Sequence, residues 1–144
     1  MVLNQIGEQM VYDIFISYES TTGTSYAENL KDALTKYQKE SFLARKSLLN
    51  IDMWPETIKS ALKEAPIFII IITVLTSTSP IVEKEYKYAL KLEKDIIVCR
   101  DYNIPQDDIM ELSLLHQIEF DDKYELANKA IIGLKKIWGD NNGM

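Results

Sequence analysis

The 144-residue sequence predicts an α/β three-layer sandwich, a five-stranded parallel sheet with helices on both faces. Three observations carry that reading. Short β-rich apolar runs alternate with stretches of helical periodicity, the pattern of βαβ units joined by right-handed crossovers. The run PIFIIIITVL at 66–75 is apolar throughout, as a central strand buried on both faces must be. It is about half the length of a membrane-spanning helix. Finally, 47% hydrophobic and 26% charged residues suit one globular domain large enough to bury a substantial core.

The elements follow in order. VYDIFISY (11–18) is a first strand, ending in the small polar turn ESTTGTS. Tyr26, Ala27, Leu30, Ala33, Leu34 and Tyr37 then recur at helical spacing. SFLA (41–44) is a short second strand and RKSLLNIDM (45–53) a loop. Pro55 opens a second helix with apolar positions Ile58, Ala61, Leu62 and Ala65. The third strand covers 67–74. Ser79 caps the third helix, 80–93, with Pro80 in its first turn. DIIVC (95–99) is the fourth strand, and DYNIPQDDIMELSLL (101–115) a loop with a short helix. HQIEF (116–120) is the fifth strand. Leu126, Ala127, Ala130, Ile131, Leu134, Ile137 and Trp138 mark the last of five helices. Residues 1–10 read as a lead-in, 11–139 as one domain and 140–144 as a frayed tail.

A formal net charge of −6 argues against a nucleic-acid-binding module, since phosphate backbones call for a basic surface. A small anionic ligand is still compatible, held by a few cations and backbone N–H groups. Cys99 is the sole cysteine, so no internal disulfide is expected, and its apolar run suggests a buried thiol. His116, the sole histidine, reads as a surface or helix-end residue. No His or second Cys stands at metal-ligand spacing, so no metal site is expected and a His-based triad is disfavoured. The N-terminus lacks the basic start and apolar stretch of a signal peptide. The expectation is a soluble, cytoplasmic protein.

The third helix poses the functional question. At about 100° per residue, Ile81, Glu85, Tyr88 and Leu92 share one stripe, which Val82, Tyr86, Ala89 and Leu90 widen. Glu83, Lys84, Lys87 and Lys91 lie opposite. Glu85 is thus a carboxylate turned toward the body of the protein. Its plain reading is a side chain that reaches solvent or pairs with a lysine. Glu93 also falls on the inward arc, so the arc alone is not diagnostic. Ligands of open parallel sheets bind outside the carboxyl ends of the strands. The 18–24 loop, the 45–54 loop and the start of the third helix should converge there, with Glu85 one turn in.

With these segments placed, the chain resembles a Toll/interleukin-1 receptor (TIR) domain over nearly its whole length. The carrying residues are YDIFISY at 12–18, the W-x-x-x-I-x-x-A pattern of Trp54, Ile58 and Ala61, and Ser79 followed at six residues by Glu85. Departures are Ile81-Val82, where the family often has Trp-Cys, and the sequence ARKSLLNIDMW after the second strand, where the family often has an acidic residue and a glycine. The compact single-domain form looks more like prokaryotic members than like receptor tails.

The resemblance implies a flavodoxin-like fold and, for many members, cleavage of NAD+ at the nicotinamide–ribose bond with the residue aligned to Glu85 as the essential glutamate. The residue inventory suits that chemistry. Ordinary glycoside hydrolysis uses two carboxylates, one protonating the leaving oxygen. Nicotinamide leaves a cationic pyridinium as a neutral molecule, so one carboxylate that steadies the ribosyl cation, binds its hydroxyls or forms a covalent intermediate is enough. No other cofactor is needed, NAD+ being the substrate.

Further substrate-binding candidates are Tyr18, Glu19 and Ser20, with the rest of 19–24, for the ribose and phosphates, and Arg45 and Lys46 for the pyrophosphate. Trp54 is a candidate for stacking on a base, and Ser79 completes the motif. Each has a plainer alternative. Trp54 also reads as a plug at the foot of its helix, Tyr18 as a half-buried strand end, and Arg45 and Lys46 as solvated cations.

The resemblance further implies self-association through TIR–TIR contacts of the 45–54 loop, activity that depends on assembly, and a role in prokaryotic defence signalling. It leaves room for a separate effector or sensor protein, and implies neither nucleic acid nor membrane as partner. Two other readings stand beside it: a non-catalytic adaptor that self-associates, and a nucleoside deoxyribosyltransferase-like enzyme. A phosphoacceptor receiver domain is set aside, because Ser17-Tyr18 and residues 73–76 stand where its acids belong.

Overall fold

Strand and helix alternate along the chain in the computed structural model, which describes residues 11–44 and 56–139. The strands are β1 (Ile14–Tyr18), β2 (Ser41–Leu43), β3 (Ile67–Ile72), β4 (Asp95–Asp101) and β5 (Gln117–Phe120). The helices are α1 (Ser20–Lys36), α2 (Glu56–Glu64), α3 (Pro80–Lys91) and α4 (Lys123–Trp138). All strand pairs are parallel, in the order β2-β1-β3-β4-β5, which is the α/β sandwich the sequence predicts. No described helix is long and apolar enough to cross a membrane.

The apolar run does what its composition demands. Every residue of β3 is buried, and the strand sits at the centre of the sheet. Side chains alternate between the two faces. Ile14, Ile16 and Tyr18 of β1 and Ile67, Ile69 and Ile71 of β3 pack under α1 and α4. Phe15, Phe68, Ile70 and Ile72 pack under α2 and α3. Phe15 lies between Phe42 and Phe68, with ring centroids 5.4 and 5.8 Å away.

Several elements differ from the sequence reading: ESTTGTS is not a turn but the cap and first turns of α1, the first strand starts at Ile14 and not residue 11, and the third helix ends at Lys91 and not residue 93. Three further differences have a local reason. The third strand ends at Ile72, not residue 74, because the Thr73 N–H is taken by Thr76 Oγ1 at 2.7 Å and the chain turns. The fourth strand runs on to Asp101, because Arg100 and Asp101 find partners opposite in Glu119 and Phe120. The expected fourth helix within 101–115 is one 3-10 turn, Met110–Leu112. That segment follows the sheet edge through side-chain anchors. Gln117 Nε2 donates to the Gln106 and Leu112 carbonyls, and the buried Arg100 guanidinium donates to Ile104 O, Gln117 Oε1 and Glu119 Oε2. Cys99 is buried as expected, and burial pushes its thiol up to about 12.

Candidate active site

The chain leaves β1 for β2 through α1 and leaves β3 for β4 through α3, so the two connections diverge to opposite sides of the sheet. In doubly wound sheets such a divergence marks the crevice where ligands bind, here outside the carboxyl ends of β1 and β3. The first turns of α1 and α3 form its two rims.

On the α1 rim, Glu19 caps the helix. Its carboxylate accepts from Thr21 N at 2.9 Å, Thr22 N at 2.8 Å and Thr22 Oγ1 at 2.7 Å. Burial works to raise the Glu19 pKa, but the hydrogen bonds from Thr22 and Thr21 outweigh it and hold the carboxyl below its ordinary value. The hydroxyls continue inward. Thr22 Oγ1 is 2.6 Å from Thr73 Oγ1, which is 3.2 Å from Thr76 Oγ1. Gly23 lets α1 sit this close, since a Cβ there would stand 3.3 Å from Tyr18 Cβ.

On the α3 rim, Ser79 Oγ accepts from Val82 N at 3.2 Å, with Pro80 at the first helical position. Val82, Tyr86 and Ala89 seat the helix on the sheet, and Glu85 on the same face is completely buried. Its Oε1 accepts from Ser17 Oγ at 2.7 Å. Ser17 reaches it by strand alternation. It shares the α3 side of β1 with Phe15, whereas Tyr18, the next residue, points under α1.

The structure therefore places Ser79 and Glu85 on one rim and Glu19 and the half-buried Ser20 on the other. Tyr18, 1% exposed, lies in the core layer on the far side of the sheet from Glu85. Arg45, Lys46, Trp54 and the 45–54 loop lie outside the described residues. Sequence reasoning gave no role to Ser17, Thr22, Thr73 or Thr76. For Ser17 a signal existed, a hydroxyl in the apolar strand IFISY.

His116 is exposed at the far side of the sheet, before β5. Among the described residues no group of three His, Cys, Asp or Glu could hold a metal ion. An apolar groove of about 450 Å³ lies between β4, β5 and α4, lined by Ile96, Ile118, Ile132 and Gly133 with Lys129 and Lys136. It is remote from the crevice and shares no residue with it.

Comparison with known proteins agrees with this architecture. The family described as TIR domain matches residues 14–132, most of the chain. Among solved structures, the chain is similar to the TIR domain of the Toll-related receptor TRR-2 from Hydra magnipapillata. Identity is 17%, covering 89% of this chain and 99% of that one, with a TM-score of 0.65. It is also similar to the TIR domains of the activated Roq1 resistosome, which recognises the pathogen effector XopQ. There identity is 14%, coverage 88% and 74%, and TM-score 0.60. A diflavin flavoprotein A3 from Nostoc sp. shares the fold at 13% identity, coverage 90% and 94%, and TM-score 0.58. Comparison with curated proteins finds no match. At these identities the solved structures speak for the fold alone, while the family match covers the strands, the crevice and Glu85 together. The chain belongs to the TIR domain family.

Proposed function

We propose that this TIR domain cleaves NAD+ at the nicotinamide–ribose bond, with Glu85 as the catalytic carboxylate. TIR domains include both NAD+-cleaving enzymes and adaptors, so the family leaves the choice to the site. One observation supports the enzyme: a fully buried glutamate, hydrogen-bonded to a strand serine, at the sheet's switch-point crevice. A carboxylate is costly to bury, and an adaptor gains nothing from it there.

In this reading the C–N bond to ribose breaks with its electron pair going to the pyridinium nitrogen. Nicotinamide leaves neutral, so no general acid is required. Glu85 faces the ribosyl cation and stabilises its charge. Water then adds and releases a proton to give ADP-ribose, or a nucleophile within the ADP-ribosyl group closes a cyclic product. Glu19, Ser20 and Ser79 line the two rims, and Arg45, Lys46 and Trp54 serve the pyrophosphate and base from the 45–54 loop. That loop also joins one copy to the next, so turnover rises with assembly, in keeping with a nucleotide signal in cytoplasmic defence. Tyr18 supports the crevice from beneath as packing.

The test is nicotinamide release from NAD+, followed by chromatography for wild type and Glu85→Ala, each dilute and concentrated. Release that grows with concentration and vanishes in the variant is the expected result. No release from wild type under assembling conditions would overturn the enzyme in favour of the adaptor. Release of a base from deoxynucleosides but not from NAD+ would assign the transferase instead.

A further inference from the structure

Ser17 stands in the most protected part of the sheet, on a strand whose five residues are all buried. A hydroxyl there forgoes the packing that valine or isoleucine would supply, and its partner is an equally buried carboxylate. Stability does not account for such a pair, because apolar residues of similar volume at both places would serve it as well or better. What the pair does supply is geometry. Ser17 is paired with Ile70 of the central strand β3, one residue beyond the last β1 position paired with β2, so it is mounted on regular sheet backbone. Its hydroxyl meets Glu85 Oε1 at 2.7 Å, across 68 residues of sequence. A hydrogen bond to one carboxylate oxygen sets the rotation of the whole group, and it is stronger when the acceptor is charged.

We infer that Ser17 is a positioning residue for Glu85: its hydroxyl orients the carboxylate at the β1–β3 crevice and favours its ionised form. Several charged groups near α3 are held elsewhere. On the facing side, β1 and β3 present Ser17 and apolar residues. The charged side chains of α2, Glu56, Lys59, Lys63 and Glu64, are exposed. On α3 itself Glu83 and Lys87 pair with each other on the outer face, and the Tyr86 hydroxyl donates to Glu111. Arg100, buried on the same face of β4, is held by Ile104, Gln117 and Glu119. The catalytic part of this inference rests on the NAD+-cleaving reading; the electrostatic part does not.

The experiment therefore has two readouts on wild type, Ser17→Ala and Ser17→Thr. The first is the pH titration of the Glu85 side-chain carboxyl followed by carbon-13 NMR. Alanine should raise the midpoint by about one unit, a tenfold change in proton affinity, and threonine should restore it. The second is nicotinamide release, where alanine should lower kcat on the order of tenfold to a hundredfold with KM little changed, again rescued by threonine. If alanine prevents folding, Ser17→Thr against Ser17→Val gives the same comparison between side chains of one shape. An unmoved midpoint in a folded hydroxyl-free variant overturns the inference whether or not the protein is an enzyme. Wild type without NAD+ turnover overturns the proposed function, and the carboxyl titration still decides for or against Ser17.

Discussion

Thr22 Oγ1 lies 2.6 Å from Thr73 Oγ1, joining the first turn of α1 to the end of β3 beside the crevice. The pair is one link in a chain from the Glu19 carboxylate through Thr22 and Thr73 to Thr76. Thr22→Val and Thr73→Val keep the side-chain shape and delete the link, and each should destabilise by about 1 kcal/mol. Because both remove the same contact, the double variant should lose less than the sum of the two. Urea unfolding of the four proteins measures this directly. Additive losses would mean that the two hydroxyls act separately.

The Glu19 cap makes part of the stability depend on pH. Its folded pKa lies below the ordinary value of 4.5, so the unfolded chain binds its proton first as pH falls. The stabilisation is therefore complete above the unfolded value and is lost as pH drops through the folded one. Thermal unfolding of wild type should lose stability as pH falls below about 4.5, and Glu19→Gln should lessen that loss. Glu19→Ala, which removes the cap, should cost about 1 kcal/mol at neutral pH.

Glu85 and Glu93 show how far sequence could go. The helical arc turned both inward, yet Glu85 is buried and Glu93 exposed. The arc assumes an unbroken helix, and α3 stops at Lys91. Glu93 then takes a left-handed conformation with φ 57°, its N–H bonded to Leu90 O and that of Lys94 to Ala89 O. Local signals did carry the framework. The apolar run identified the central strand, and Ser79-Pro80 identified the start of α3. What local signals lack is the partner. Nothing near Ser17 points to a carboxylate 68 positions away, and nothing near Thr22 points to Thr73. The fourth helix failed for a related reason. Residues 101–115 bury Ile109 and Leu112, but their course is set by Arg100 and Gln117, which lie outside the segment.

The left-handed residues at the helix ends offer a gain in stability. Gln38 after α1 (φ 61°) and Glu93 after α3 occupy the position that glycine usually fills in a Schellman cap. A side chain there is strained by about 1 kcal/mol, while glycine loses more backbone entropy on folding. The balance favours glycine. Gln38→Gly and Glu93→Gly should each raise stability by roughly 0.5 kcal/mol, and together by the sum, since they end different helices. Chemical denaturation would detect the change as a higher midpoint at constant slope. A lower midpoint would show that the native side chains make contacts worth more than the strain.

Glu85 itself should show stability and function pulling apart. Glu85→Gln preserves volume and leaves an amide oxygen to accept from Ser17, while replacing the carboxyl of a fully buried site by an amide. Burying a neutral amide costs less than burying a carboxylate. The variant should therefore melt at or above the wild-type temperature, by up to a few degrees, with nicotinamide release lost. Glu85→Ala should also lose release, but it leaves a void beneath α3 and a Ser17 hydroxyl deprived of its acceptor, so it should melt lower. The contrast separates a glutamate kept for chemistry from one kept for folding. If glutamine melted well below wild type, the carboxylate would be part of the structural frame and the case for its catalytic role would weaken.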